Sequence, residues 1–240
     1  MEVRVMENTF EISKAVSSII IDEVKRNPKA VLGFATGASP VETYKRMIEA
    51  YENGEVSFKS ITTFNLDEYC GLTREDENSY FCFMKENLFG KTDIDFARVN
   101  FLSGDEAESE KSCREYSEKI AAAGGIDIQL LGIGTNGHIG FNEPSDSFSD
   151  GPFKVKLTQS TINSNSKYFK DKKMPRYALT MGIGDIMRAK KILLIATGES
   201  KANAVFKMIK GEVTPSCPAS VLQNHSNAVI YLDRESAKLL

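Results

Sequence analysis

Residues 126–144 read IDIQLLGIGTNGHIGFNEP, and this stretch decides the fold. Ile126, Ile128, Leu130, Leu131 and Ile133 make an apolar run of strand length, and the pattern breaks at Gly132, Gly134, Gly137 and Gly140. A buried strand therefore empties into a glycine-rich loop. The loop carries His138, one of only two histidines in the chain, with Asn136, Asn142 and Glu143 close by in sequence. Gly132, Gly134 and Gly137 also match the dinucleotide fingerprint G-x-G-x-x-G, which needs a helix to begin at the loop so that its N-terminus can hold a pyrophosphate. Here Pro144 and then SDSFSDGP follow, so no helix can start. The stretch also lies far from the N-terminus, and no acidic residue closes a second strand about 20 positions on. The dinucleotide reading is rejected; the plainer alternative is a flexible hairpin without chemistry.

Outward from this centre, strand and helix patterns alternate. Val3–Val5 predict a short strand, and Ile12, Ala15, Val16, Ile19, Ile20 and Val24 line one face of a helix that ends at Asn27 and Pro28. Ala30–Ala35 is a buried strand that meets TGASP, where Ser39 can cap and Pro40 can occupy the first turn of a helix reaching about Gly54. Ile61–Leu66 is a strand followed directly by Asp67, Glu68 and Tyr69. Asn78 reads as the cap of a helix that stops at Gly90. Val99–Leu102 predicts a strand and Asp105–Ala123 a helix closed by Gly124 and Gly125. Past Pro144 the sequence is polar to about Arg176, with a short strand at Phe153–Leu157, and residues 145–176 are expected to form a lid. Lys191–Ala196 is again a buried strand, opening into TGESK and a helix through Met208, and Ala228–Leu232 is the last strand. Such alternation predicts a doubly wound, mostly parallel α/β sheet covered on both faces, in one domain spanning residues 1–240.

The composition excludes several classes. The 240 residues are 41% hydrophobic and 26% charged, as in ordinary globular proteins. No run of eighteen apolar residues occurs, and MEVRVMENTF lacks the order of a signal peptide, so a cytoplasmic protein without membrane partners is expected. Cys70, Cys82, Cys113 and Cys217 are scattered, which suggests neither a disulfide framework nor a zinc site. A net charge of −3 supplies no field for nucleic acid. Any anion must be bound locally.

In open parallel sheets ligands bind beyond the carboxyl ends of the strands. Four segments fall at that end: Thr36–Pro40, Asp67–Tyr69, Gly134–Glu143 and Thr197–Lys201. TGASP and TGESK have the small residues and free N–H groups of anion loops, and Lys201 in a first helical turn opposes the helix dipole unless an anion sits there. Neither is a P-loop, so a phosphomonoester is inferred rather than ATP. A carboxylate beyond a strand, and His138 with Glu143, can serve as base and proton shuttle. These residues imply acid–base chemistry on a small phosphorylated molecule, with no metal or organic cofactor. On this reading Glu68 is as good a base as Asp67.

ATGASP, FNLDEY with Asn78 and Tyr80 downstream, LLGIGTNGHIGFNEP, YALTMGIGDI, TGESKA and PASVLQNH, in this order and spacing, resemble the glucosamine-6-phosphate deaminase family, also called glucosamine/galactosamine-6-phosphate isomerases, over nearly the whole chain. The resemblance implies a Rossmann-like fold and conversion of glucosamine 6-phosphate and water to fructose 6-phosphate and ammonium. It makes Asp67 the base that moves a proton from C2 to C1, and His138, supported by Glu143 and oriented by Asn136, the group that opens the sugar ring. Thr36, Gly37, Ala38 and Ser39 would hold the phosphate with Lys201 and Lys167. Asn142 and Pro144 would shape the loop, and His225 would be a packing residue.

Several positions depart from the family pattern. Many members carry aspartate at Asn136 and arginine at Lys167, and SDGPFK replaces a Ser-Arg-Thr element after FNEP. The basic residues that form the allosteric N-acetylglucosamine 6-phosphate site of longer, hexameric relatives fall on Phe153 and Val155. The resemblance therefore implies an enzyme without that activation, and the missing C-terminal extension favours a monomer over a homo-oligomer. The competing readings are a 6-phosphogluconolactonase-like hydrolase, which shares fold and phosphate loop, and a non-catalytic sugar-phosphate sensor.

Overall fold

The computed structural model describes residues 1–169 and 172–240. Its strands are β1 (Glu2–Met6), β2 (Val31–Phe34), β3 (Thr62–Asn65), β4 (Asp67–Tyr69), β5 (Val99–Asn100), β6 (Ile128–Gly132), β7 (Phe153–Lys156), β8 (Tyr177–Thr180), β9 (Lys191–Ala196) and β10 (Ala228–Asp233). The α-helices are α1 (Thr9–Arg26), α2 (Val41–Glu52), α3 (Tyr80–Asn87), α4 (Ser109–Ala122), α5 (Gln159–Asn165), α6 (Ile183–Met187) and α7 (Ala202–Lys210).

Seven strands form one sheet in the order β1-β10-β9-β6-β2-β3-β5, and every pairing in it is parallel. After β2 the chain builds outward through β3 to β5, then returns to place β6 on the other side of β2 and builds outward again through β9 and β10. The loops leaving β2 and β6 consequently part from each other at the centre of the sheet. Such a switch in strand order leaves a crevice there.

Helices cover both faces because the central strands are apolar on both sides. One core joins Ile12, Val16 and Ile20 of α1 and Tyr44 and Met47 of α2 to Leu32, Phe34 and Leu130 of the sheet. The other joins Tyr116 and Ile120 of α4 and Val205 and Met208 of α7 to Phe64, Leu131 and Leu194. α1 shows the local logic: Asn8 Oδ1 accepts the Glu11 N–H at 3.0 Å, the buried residues recur every fourth position, and Lys25 and Arg26 close the last turn. Among the described residues no helix is long and apolar enough to cross a membrane.

Some expected details change. The residues after β3, for which no element was expected, are strand β4, which pairs antiparallel with β8, and β8 pairs with β7 in a small second sheet. Pro40 is the N-cap of α2, with no side-chain cap bond, so Ser39 does not cap it. Ser79, not Asn78, caps α3 by accepting the Cys82 N–H. α4 begins at Ser109, four residues later than expected, because Asp105 caps a preceding turn through the Ala107 N–H instead. Within the expected lid, residues 170 and 171 lie outside the described residues; the rest includes β7 and α5. These pack with β4 and β8 around a third, smaller core of Tyr69, Phe141, Val155, Leu157, Phe169, Met174 and Ala178.

Candidate active site

The crevice at the switch point is a cavity of about 900 Å³. All four segments expected at the carboxyl end of the sheet contribute to its wall: Thr36, Gly37, Ala38 and Ser39 after β2, Asp67 in β4, Gly134, Thr135 and His138 after β6, and Thr197, Ser200 and Lys201 after β9. Lys167, from the turn after α5, joins them. Asn136 and Glu143 do not line the cavity; they stand behind His138.

The loop after β6 is folded by its own backbone. Gly134 N–H donates to His138 O at 2.9 Å, and Gly137 N–H donates to Gly134 O at 3.0 Å. Gly137 has φ +90°, a region costly for residues with a Cβ. Gly134 is needed for space: a Cβ there would lie 2.3 Å from His138 Cε1. Asn142 locks the base of the loop, its amide donating to Ile139 O and Met181 O, both at 2.9 Å, while its Oδ1 accepts from Ser149 Oγ at 2.8 Å. Its part is to shape the loop, as expected.

Behind His138 is a polar knot centred on Glu143. Asn136 Nδ2 donates to Glu143 Oε2 at 2.7 Å, and His138 Nδ1 lies 3.4 Å from the same oxygen without an aligned hydrogen bond. Glu143 Oε1 accepts from Thr158 Oγ1 at 3.2 Å and from Thr161 Oγ1. Burial alone would raise this carboxyl, but the adjacent imidazole and the Thr161 and Asn136 donors more than offset it, holding Glu143 at about 2. It remains a carboxylate throughout the neutral range, suited to orient and charge-stabilise an imidazole.

Asp67 is in the opposite situation. It is buried, and among the described residues it accepts no hydrogen bond, so burial pushes its proton affinity well up and the neighbouring Glu68 pushes it further. Gly140 brings the β6 loop close: a Cβ there would be 3.6 Å from Asp67 Oδ2. Lys201 is half-buried, and burial together with Lys167 lowers its affinity for a proton. Among the described residues no carboxylate lies within salt-bridge distance of it. Two lysines beside the TGASP and TGESK loops put local positive charge on the cavity wall of a chain of net negative charge.

Sequence reasoning passed over the aromatic wall. Tyr80 OH donates to Tyr69 OH at 3.1 Å, and Tyr69 OH accepts from Asn165 Nδ2 at 3.1 Å. The Tyr80 ring stacks on Phe141 at 5.9 Å and 18°. Tyr80 stood in the family motif without a role, whereas Asn165 and Thr161 lie in a polar stretch with no periodicity to mark them. His225 lies outside the site. Its Nε2 is 2.8 Å from Ala189 O and its Nδ1 accepts the Asn227 N–H, a packing arrangement.

Fold and site together define a class: a doubly wound α/β protein with a lysine-lined crevice at its switch point, flanked by a buried carboxyl and a carboxylate-backed histidine. The family model for glucosamine-6-phosphate isomerases/6-phosphogluconolactonase matches residues 8–231, and the chain belongs to that family. It is 46% identical to a glucosamine-6-phosphate deaminase of Thermoanaerobacter sp. (strain X514), covering 100% of this chain and 95% of the relative. It is 44% identical to one of Clostridium novyi (strain NT), with both chains fully covered. Among solved structures, a monomeric glucosamine-6-phosphate deaminase superposes with a TM-score of 0.96 at 42% identity over all of both chains. The 6-phosphogluconolactonase of Leishmania guyanensis superposes with a TM-score of 0.78 at 18% identity, covering 99% and 97% of the two chains, a likeness of fold.

Proposed function

We propose that the chain converts glucosamine 6-phosphate and water to fructose 6-phosphate and ammonium, by aldose–ketose isomerisation coupled to deamination. The observation that carries this reading is that Asp67, His138 and the paired lysines line one cavity, in a chain nearly half identical to deaminases along its full length. The phosphate sits between the Thr36–Ser39 loop and Lys201, with Lys167 adding charge from the α5 side. This anchors the sugar with its other end toward β4 and the β6 loop.

His138, held by Glu143 and Asn136, takes the anomeric hydroxyl proton and returns a proton to the ring oxygen as the C1–O5 bond breaks, giving the open-chain amino aldehyde. Asp67 then removes the C2 proton, the C2–H electrons become the C1=C2 bond as the C1=O1 π electrons move to O1, and O1 takes the proton that the C2 ammonium gives up, leaving an enolamine. Delivery of the proton to C1 leaves an iminium at C2. Water adds to it and ammonia departs, so C2 ends as the ketone. The buried Asp67 carboxyl binds its proton tightly in the free protein; the substrate's own C2 ammonium supplies the opposite charge that favours the ionised base. Asn136 neither gives nor takes a proton in this scheme. Its amide bridges Glu143 and the His138 backbone.

The chain acts as a monomer without activation by N-acetylglucosamine 6-phosphate. Val155, where relatives place a basic effector ligand, is buried in the small aromatic core, with Phe153 packed against it. The segment from β7 to α5 serves as a cover for the cavity, tied to Glu143 through Thr158 and Thr161. Incubating the purified chain with glucosamine 6-phosphate, without metal or nucleotide, tests the function. Ammonium and fructose 6-phosphate must form in equal amounts. Binding without product would replace the reading with a sensor, and hydrolysis of a phosphogluconolactone without ammonium release would replace it with a lactonase.

A further inference from the structure

Glu68 adjoins the proposed base in β4, and because successive strand residues point to opposite faces it does not line the substrate cavity. It is only 4% exposed, yet both its oxygens are engaged. Oε1 accepts the N–H of Tyr69 and of Tyr80, both at 2.9 Å, and Oε2 accepts the N–H of Phe81 at 3.0 Å. Tyr80 and Phe81 open α3, and the next free N–H, of Cys82, goes to Ser79 Oγ. A carboxylate borrowed from another element thus satisfies the first two N–H groups of this helix and complements its dipole. α3 then presents Tyr80 to the cavity, its hydroxyl on Tyr69 and its ring stacked on Phe141.

We propose that Glu68 is a positioning residue for the reaction at Asp67, its two-oxygen hold on the first turn of α3 fixing Tyr80 as the cavity wall beside the base. The inference rests on Asp67 being that base. Burial does most to raise the proton affinity of Asp67, and the Glu68 charge adds to it, so Glu68 bears on where the base ionises as well as on what faces it. Around the pair stand Tyr69 and Cys70 on the same stretch, Arg74 in the following turn, Tyr80 on α3, Tyr116 on α4 and His138 across the cavity. Burial keeps the tyrosines and the thiol neutral. Burial raises Glu68 itself to about 7, with the three N–H groups and Arg74 acting against the rise.

Glu68→Gln tests the proposal. The amide keeps the shape, loses the charge, and cannot accept a hydrogen bond at its nitrogen, so one N–H of α3 is left unpaired. kcat is expected to fall roughly tenfold to a hundredfold, as for a displaced site wall, with KM little changed. The acid limb of kcat/KM is expected to move to lower pH, because a neutral neighbour no longer opposes ionisation of Asp67. A folded Glu68→Gln enzyme with wild-type kcat and an unmoved acid limb overturns the proposal, and so does a lower kcat with the limb unmoved, which makes Glu68 a structural cap alone. Asp67→Asn, measured alongside, separates the two readings: an active Asp67→Asn enzyme faults the base, whereas an inactive one with an unaffected Glu68→Gln faults only the role of Glu68. Should Glu68→Gln give no cooperative melt, Glu68→Asp takes its place, keeping the charge on a side chain one methylene too short to span both N–H groups. Lower kcat with the acid limb in its wild-type position supports the hold on α3; wild-type kcat overturns it.

Discussion

Lys201→Met should weaken catalysis and spare the fold, because in the proposed reaction the Lys201 ammonium holds the phosphate, while in the free protein it pairs with no carboxylate among the described residues. The lysine is half-buried, its proton affinity is lowered by burial and by Lys167, and among the described residues no carboxylate lies within salt-bridge distance. Methionine keeps most of the stem and removes the charge, so the ligand-free protein should melt at the same temperature as the wild type or higher. With a phosphorylated sugar bound, the loss is a charge-assisted contact worth about 1.5–3 kcal/mol. At about 1.4 kcal/mol per factor of ten, kcat/KM should fall roughly tenfold to more than a hundredfold. Ligand at a hundred times its Kd stabilises a fold by about 2.7 kcal/mol, so the fructose 6-phosphate-dependent rise in Tm should be clear in the wild type and shrink in Lys201→Met at equal concentration. Steady-state kinetics and thermal melts with and without fructose 6-phosphate read both effects. Wild-type kcat/KM together with an undiminished ligand shift would refute the placement of the phosphate at Lys201, and a large drop in ligand-free Tm would show that the lysine serves the fold.

Asp67→Asn should cut turnover by roughly 10² to 10⁴ while leaving affinity for the product nearly intact, since a general base acts mainly in the transition state; rapid turnover by this variant would contradict its role. Gly134→Ala places a methyl 2.3 Å from His138 Cε1 at a position whose φ is not positive, so the protein should fold with a displaced imidazole and lose about a hundredfold in kcat. Normal activity would mean that the orientation of His138 does not matter. Glu143 is held at about 2 in the fold against an ordinary 4.5, so below 4.5 the native state binds fewer protons than the unfolded chain. Its contribution, about 3 kcal/mol, is complete above that pH and vanishes as pH falls toward 2. Melts between pH 5 and 3 should therefore drop less steeply for Glu143→Gln than for the wild type, and parallel curves would argue against the depressed carboxyl. Finally, N-acetylglucosamine 6-phosphate should leave the rate unchanged at subsaturating substrate, and a clear increase would require an effector site despite Phe153 and Val155.

Much of this protein was legible in one dimension because its main signals are local. Apolar strand runs such as Leu130–Ile133 and Ile192–Ala196 declare a sheet buried on both faces, and glycine-rich breaks at their carboxyl ends mark the loops where a ligand can approach. The motifs around Asp67, His138 and Lys201 pointed to a site, and all three residues reach one cavity. Tertiary structure decided what depends on contacts distant in sequence. Asp67–Tyr69 form a strand because β8, more than a hundred residues on, supplies its hydrogen-bond partners, and no local pattern announces that pairing. Thr161 and Asn165 join the site because β7 folds back and carries α5 over Glu143 and Tyr69. The same distinction separates Asp67 from Glu68. In the chain they are adjacent carboxylates of equal promise, and only the alternation of β4 between the cavity and the first turn of α3 sends one to the cavity and the other to the helix.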